Sequence, residues 1–213
     1  MRRRLFIFDF DGTLADTFDH FLEVFDEAAR VYGFRCFDRN NIDHLRTLDA
    51  RSILRHHDVP IWKLPAITHA TRKLMALRIH DVRLFTQIDH ALACLQDHGE
   101  VLALLSSNSK SNVLRVLGEQ TASLFDHFEC GTSIFGKRSR LKKLLLRSGV
   151  KAEDSMFIGD EIRDAQAARE VGIRFGAVGW GYSKMSVLLE AGAEEHFSEP
   201  HELKTKLLEW ASA

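Results

Sequence analysis

Four aspartates follow two apolar segments of the chain, at the points where predicted strands end. Asp9 and Asp11 come directly after the first segment, and Asp160 and Asp164 come after a second one. Asp9 and Asp11 are two residues apart, so both side chains can point the same way from a strand end. Close carboxylates raise one another's pKa unless a cation lies between them. Oxygen ligands without sulfur or imidazole favour Mg²⁺, so these aspartates predict a magnesium site.

The other polar residues at predicted strand ends suit a phosphate group. Ser107 and the amides near Asn108 stand at a predicted helix start, where a phosphate oxygen can bind. Lys137 can neutralise charge on a nucleophile and on a transferring group. Gly12 gives the backbone freedom for a tight turn after the first strand, with Thr13 beside it. The residues predicted to bind substrate phosphate are Gly12, Thr13, Ser107, Asn108 and Lys137.

Each of these signals is weak alone. A pair of aspartates separated by one residue also occurs in loops and in the metal sites of glycosyltransferases. Ser107 has the residue type of a helix N-cap, and Asp164 has a type that favours a helix N-terminus. Lys137, beside other basic residues, is typical of a solvated helix start. Their occurrence together, all at strand ends, is what favours one shared site.

The elements that must position these residues alternate between strand and helix. Leu5–Phe8 is a continuous apolar segment, typical of a buried parallel strand. Further strands are predicted at 101–105, 128–130, 156–158, 175–178 and near 196. Helices are predicted at 87–98, 110–119, 139–148, 163–171, 184–191 and 201–211. This alternation predicts an α/β fold with a Rossmann-like parallel sheet covered by helices on both faces. Ligands bind beyond the carboxyl ends of the strands in such sheets.

The segment 17–83 has a different pattern. Its apolar residues follow helical spacing, Gly33 predicts the end of a first helix, and no strand is expected. We therefore predict two domains. Residues 1–16 and 84–213 would form the α/β core domain, and residues 17–83 would form an inserted all-helical cap domain.

Composition narrows the class of protein. The 213 residues carry 29 Lys and Arg against 30 Asp and Glu, a net charge of −1, so overall charge favours neither nucleic acid nor another charged partner. No apolar segment reaches the ~18–20 residues that span a bilayer, so no membrane association is expected. Three widely spaced cysteines favour neither a disulfide framework nor a zinc site. The chain is predicted to be cytoplasmic, with a monomer as the default state.

Four motifs together resemble the haloacid dehalogenase superfamily. The first is Asp9-x-Asp11-Gly12-Thr13-Leu14-x-Asp16-Thr17, and the second is Ser107-Asn108 after an apolar strand. The third is Lys137 at a helix start, and the fourth is Ile158-Gly159-Asp160-Glu161-x-x-Asp164. A helical cap inserted between the first two motifs is similar to that of the phosphoglycolate-phosphatase-like subgroup.

The resemblance implies a mechanism. Asp9 would be the nucleophile that forms an aspartyl-phosphate, and Asp11 would protonate the leaving oxygen and then activate water. Ser107 and Lys137 would hold the phosphoryl group. Asp160, with Asp164, would hold Mg²⁺ alongside Asp9 and the backbone carbonyl of Asp11. The expected function is hydrolysis of a phosphomonoester of a small metabolite.

Two alternative functions stay open, and the sequence departs from the family's pattern at two positions. A sugar-phosphate mutase uses the same motifs, and a non-catalytic binding protein could retain the fold. Many relatives have glycine where Gln87 stands and proline where Arg138 stands.

In the segment 17–83, the guanidinium groups of Arg46, Arg51 and Arg55 could contact a substrate anion, although the interpretation of these residues as solvated helix charges is favoured. Trp62 and Phe18 are predicted to pack in the cap core or at the hinge.

Overall fold

The computed structural model describes residues 3–132 and 136–213. The strands in this part of the chain are β1 (Leu5–Asp9), β2 (Ala15–Asp16), β3 (Arg83–Leu84), β4 (Val101–Leu105), β5 (His127–Glu129), β6 (Ser155–Gly159), β7 (Arg174–Val178) and β8 (Glu195–Phe197). The α-helices are α1 (Phe18–Tyr32), α2 (Ile42–Leu45), α3 (Ala50–His56), α4 (Leu64–Arg78), α5 (Ile88–Asp97), α6 (Lys110–Ala122), α7 (Lys137–Ser148), α8 (Ile162–Val171), α9 (Met185–Glu190) and α10 (Glu202–Ser212). The predicted alternation of strands and helices is confirmed, with boundaries shifted by at most three residues.

Six of the strands form one parallel sheet in the order β5-β4-β1-β6-β7-β8. Strand β1 lies inside the sheet, where Leu5 pairs with Val101 on one side and with Ser155 on the other. All five residues of β1 are buried, as its unbroken apolar segment predicts. The predicted α/β fold class is confirmed.

The two faces of the sheet carry separate apolar clusters. Phe6 and Phe8 belong to the cluster on one face, with Leu92 of α5 and Leu207 of α10. Their neighbours Leu5 and Ile7 point to the opposite face, where they pack with residues of α7 and α8. The alternation of side chains along the same strands therefore determines which residues pack in each of the two layers.

Helices α1 to α4 build a third apolar cluster of their own. Its buried members are Leu22, Phe25, Ala28, Phe37, Leu45, Val59 and Ile67. The antiparallel pair β2 and β3 joins the two ends of this helical segment, with Asp16 opposite Arg83. The prediction that 17–83 contains no strand is therefore wrong at its last residue. A two-residue strand is too short to show a period in the sequence.

The structure describes three residues that the sequence singled out outside the candidate site. Gln87 has a φ of 68°, a left-handed conformation that favours glycine, in keeping with the glycine that the family resemblance led us to expect at this position. Trp62 is 82% exposed, so the prediction that it packs in the core of the helical segment or at a hinge is wrong. Phe18, by contrast, packs edge-on against Tyr182, with ring centroids 5.1 Å apart.

None of the helices between residues 3 and 132 or between 136 and 213 combines the length and the apolar character that a membrane span requires.

Candidate active site

Asp9 and Lys137 form the centre of the candidate site. Asp9 is the last residue of β1, and Lys137 is the first residue of α7. The Lys137 ammonium donates a hydrogen bond to Asp9 Oδ2 at 2.6 Å and a second one to Asp164 Oδ1. All three side chains are buried, so the pairs are shielded from water. The two acidic neighbours raise the pKa of Lys137 against the effect of burial, which keeps it an ammonium.

Asp160 is held from several directions at the end of β6. It accepts hydrogen bonds from Thr13 Oγ1 at 2.8 Å and from the backbone N–H of Tyr182 at 2.8 Å. Two glycines allow this approach: a Cβ on Gly12 would lie 2.3 Å from Asp160 Oδ2, and one on Gly181 would lie 2.2 Å from Asp160 Cβ. The position of Asp160 therefore depends on the absence of side chains at both places.

The carboxylates fit a hard divalent cation. Asp9, Asp160 and Asp164 are buried, and each offers an oxygen within 4.8 Å of the others. Burial raises the pKa of Asp160 well above its usual range, and the neighbouring carboxylates raise it further. Burial also raises the pKa of Asp9, and that of Asp164 to about 7, with Lys137 opposing both shifts. A cation among these oxygens would remove the repulsion, and oxygen ligands alone suit Mg²⁺.

Asp11 points to a different neighbourhood from these three carboxylates. Its side chain accepts hydrogen bonds from Asn108 Nδ2 at 3.3 Å and from Ser106 Oγ at 3.5 Å. Ser106 Oγ in turn accepts from the Asn108 N–H at 2.8 Å, which ties the end of β4 to Asp11. Burial raises the pKa of Asp11, with Asn108 opposing the rise. The Asp11 side chain is not part of the group of three carboxylates, and metal binding by its backbone carbonyl stays a prediction.

The structure places the predicted phosphate-binding residues in different environments. Ser107 and Asn108 line a cavity beside Asp11. Thr13 is fully buried and donates its hydroxyl hydrogen to Asp160, so that group lies behind the acidic cluster. Gly12 has a φ of 78° and closes the turn after β1 by donating its N–H to Ala15 O at 2.9 Å. Their roles towards substrate stay predictions.

Sequence reasoning missed several residues of the site. Tyr182 lies in the segment that follows β7. Its hydroxyl lies 2.9 Å from Thr17 Oγ1, and its ring packs edge-on against Phe18 and at a tilt against Phe21, both of α1. Arg163 pairs with Glu161, and both line the cavity. The position of Tyr182 after the carboxyl end of a strand is a signal it shares with Asp9, but its residue type gives no sign of a role in the site.

Two arginines of the helical segment contact loops at the edge of the sheet. Arg46 donates from Nη2 to Gly181 O at 2.6 Å and from Nε to Tyr182 O at 3.1 Å. Arg72 of α4 donates from Nε to Ser107 O at 3.1 Å and from Nη2 to Thr132 O at 2.9 Å. These bonds connect the helical segment to the loops that carry the candidate site. Arg72 was not singled out by sequence because its partners are backbone carbonyls.

Arg51 and Arg55, the other predicted anion contacts, lie elsewhere. Both are exposed, and Arg55 donates to Ser52 Oγ of its own helix at 3.0 Å. Neither lines the cavity. This agrees with the favoured interpretation of these two residues as solvated helix charges.

Comparison with known proteins places these residues in context. The family model described as haloacid dehalogenase-like hydrolase matches residues 6–178. A phosphoglycolate phosphatase from Synechococcus elongatus is 32% identical over 198 residues, which cover 92% of this chain and 93% of that protein. A predicted phosphatase from Clostridium acetobutylicum has a similar structure, with a TM-score of 0.82, 20% identity, and coverage of 98% of this chain and 100% of that one. CbbY from Rhodobacter sphaeroides, solved in complex with phosphate, has a TM-score of 0.73 at 23% identity, with 94% and 96% of the two chains covered.

Proposed function

Because the chain belongs to the haloacid dehalogenase-like hydrolase family, as a hydrolase of the phosphatase type, we propose that it hydrolyses small phosphomonoesters with Mg²⁺ through an aspartyl-phosphate on Asp9. The observation that carries this proposal is the bond from the buried Lys137 ammonium to Asp9 Oδ2, with Asp11 two residues away. A buried carboxylate beside a fixed ammonium is placed to approach a phosphoryl group whose negative charge the same ammonium attracts.

The first half-reaction transfers the phosphoryl group to Asp9. A carboxylate oxygen of Asp9 forms a bond to phosphorus while the bond from phosphorus to the leaving oxygen breaks. Asp11 gives its proton to that oxygen. The raised pKa of Asp11 favours the protonated carboxyl that this step requires.

The second half-reaction releases phosphate. A water molecule attacks phosphorus, Asp11 takes a proton from it, and the bond between phosphorus and the Asp9 oxygen breaks. Asp9 is restored as a carboxylate and Asp11 as an acid, so one ester and one water yield one alcohol and one phosphate. Ser107 and Lys137 hold the phosphoryl oxygens in both halves.

Asp9, Asp160 and Asp164, with the backbone carbonyl of Asp11, would hold Mg²⁺. When bound, the ion supplies positive charge that offsets the charge of the phosphoryl group and of the carboxylates. Thr13 and the Tyr182 N–H fix Asp160 for this role through the hydrogen bonds they donate to it.

Residues 17–83 are proposed to form a cap over this site. Their separate apolar cluster and the paired strands β2 and β3 at their two ends support this division from the core formed by residues 1–16 and 84–213. Caps of this kind close over a substrate and exclude water. A cytoplasmic location and a monomeric state stay predictions.

The experiment that tests the proposed function compares Asp9→Asn with Asp19→Asn. Asp19 is an exposed aspartate in the first turn of α1, so its replacement is a matched control. With p-nitrophenyl phosphate and Mg²⁺, we expect Asp9→Asn to lose at least about 1,000-fold in kcat while remaining folded. The control should keep its rate. Retained turnover in Asp9→Asn, or full activity in EDTA, would contradict the mechanism.

A set of phosphorylated metabolites, with free phosphate measured, separates hydrolysis from the mutase alternative. We expect phosphate release in step with substrate loss. A substrate that is isomerised without phosphate release would overturn the assignment as a hydrolase.

A further inference from the structure

The helical segment encloses a cavity of about 240 Å³ that opens onto the candidate site. The segments that follow strands β1, β4, β5, β6 and β7 form one side of the cavity, to which Asp11, Ser107 and Asn108 belong, and residues of the segment 17–83 form the rest of its wall. We call this space the cap cavity. Because Asp11 is the residue proposed to protonate the leaving oxygen, a leaving group bonded to that oxygen would occupy the cap cavity.

The wall that the helical segment gives to the cap cavity is mostly apolar. Aromatic and aliphatic side chains from four helices or their connections face it, among them Phe21, Leu22, Leu48, Ile53, Leu54 and Met75. Leu22 is a buried member of the third apolar cluster, whereas Phe21, Leu48, Ile53 and Leu54 are half-buried and pack against that cluster. Burying an apolar group against such a wall is favourable in proportion to the area removed from water.

The charged residues at the cap cavity are already engaged with the protein. Arg46 and Arg72 donate to backbone carbonyls of the sheet-edge loops, and Arg163 pairs with Glu161. Lysine and histidine are absent from the wall within the ranges that the structure describes. A carboxylate or a second phosphate on the leaving group would therefore have to compete with these existing contacts.

From this wall, we propose that the preferred substrate is a phosphomonoester with an apolar leaving group, an alkyl or aryl group of about six to ten carbons. This inference rests on the proposed phosphatase function. The size follows from the volume: an apolar cavity of roughly 150 Å³ holds benzene, and the cap cavity is larger. The phosphoryl group would lie at Asp9 and Lys137, and the apolar group would lie among α1 to α4.

The test is a series of n-alkyl monophosphates, in which ethyl, butyl and hexyl phosphate differ only in apolar length. Full burial of each methylene predicts about a fourfold rise in kcat/KM, so hexyl phosphate should exceed ethyl phosphate by on the order of 100-fold. Phosphoglycolate is the charged comparison and should fall below butyl phosphate. A flat or falling series, or phosphoglycolate above hexyl phosphate, would overturn the inference.

A matched pair of variants on α4 locates the effect in the cap cavity. Met75 lines the cavity, whereas Leu77 on the same helix is 71% exposed. We expect Met75→Gln to reduce the ratio of hexyl to ethyl phosphate severalfold, and Leu77→Gln to leave it unchanged. Ala50→Leu, which fills the cavity from α3, should also reduce the ratio and covers the case in which Met75→Gln fails to fold. An unchanged ratio in both cavity variants would contradict the location.

A binding measurement separates failure of this inference from failure of the proposed function. Ethyl- and hexylphosphonate keep the charge of the phosphate esters but cannot be hydrolysed at the P–C bond by this route. If the protein releases phosphate from esters, the kcat/KM series decides the inference. If it releases none, the proposed function fails, and calorimetry with the phosphonates decides: tighter binding of hexylphosphonate supports the apolar site, and equal or undetectable binding overturns it.

Discussion

Glycines around Asp160 show how single residues define the candidate site. Gly12 and Gly181 both lie where a Cβ would overlap Asp160. Gly12 also has a φ of 78°, so it meets a steric and a conformational requirement at once. A carboxylate can be buried at this place because the backbone comes close enough to donate to it, as the N–H of Tyr182 does.

Gly33 provides the control for a prediction about Gly12. Its φ is 77°, but a Cβ there would have nothing within 4 Å. We expect Gly33→Ala to cost about 1–2 kcal/mol of unfolding free energy through backbone strain alone. Gly12→Ala should cost a further ~1–3 kcal/mol from overlap with Asp160, and it should lower phosphatase activity. Urea unfolding and a p-nitrophenyl phosphate assay measure both effects, and equal destabilisation by the two variants would contradict the steric role.

At the scale of single residues, the sequence identified those that have both a chemically suitable side chain and a position at the end of a strand or the start of a helix. Asp9, Asp160 and Lys137 could be predicted because strand ends and a helix start are visible as changes in pattern. The inward direction of the Thr13 hydroxyl could not, because its partner Asp160 lies 147 residues away. Tyr182 was missed for a different reason. It contributes a backbone N–H and an aromatic ring, and neither group distinguishes a site residue from any other residue in a sequence.

Among the elements, α4 connects the helical segment to the sheet-edge loops. Arg72 reaches the carbonyls of Ser107 and Thr132, which follow β4 and β5. Hydrogen bonds from a charged donor are stronger than neutral ones. One helix thus holds the two loops that flank the proposed phosphoryl site.

Replacing Arg72 should weaken catalysis through these loops. Arg72→Met keeps most of the apolar stem but removes the donors, and we expect kcat/KM for p-nitrophenyl phosphate to fall about tenfold or more. Lys73→Met, at the exposed neighbouring position on α4, should change it less than twofold. Steady-state kinetics of both proteins provide the measurement. Equal kcat/KM in the two variants would show that the loops do not depend on α4.

The sequence predicted which segments form strands and helices more accurately than it predicted where these elements begin and end. Apolar segments and helical spacing were sufficient for the sheet and its covering helices, because each depends on a pattern several residues long. The pair β2 and β3 escaped notice, since two residues cannot express a period and their pairing joins Ala15 to Leu84 across the whole helical segment.

For the whole molecule, we expect the acidic cluster to make stability depend on a cation. Asp9, Asp160 and Asp164 gather three carboxylates in a buried space that Lys137 offsets only in part. A ligand that binds the folded state alone stabilises it by mass action. The almost neutral net charge of −1 conceals this local excess of acid.

Thermal unfolding with and without Mg²⁺ tests this dependence. At a Mg²⁺ concentration about 100 times its Kd, the stabilisation of ~2.7 kcal/mol should raise the Tm by about 5–10 °C, and EDTA should reverse it. Asp160→Asn should abolish the shift, whereas Asp19→Asn should preserve it. An unchanged Tm in Mg²⁺, or a full shift in Asp160→Asn, would count against a metal site at these carboxylates.

The inner position of β1 has a consequence for synthesis of the chain. Leu5 pairs with Val101 and Ser155, so this apolar strand leaves the ribosome long before either neighbour exists. At roughly 5–20 residues per second, β1 waits about 5 s or more for β4 and about 8 s or more for β6. During that interval its five side chains, all buried in the finished sheet, have no native partner strand. A nascent chain with this order of strands is therefore expected to bind chaperones through its first strand until β4 and β6 have been synthesised.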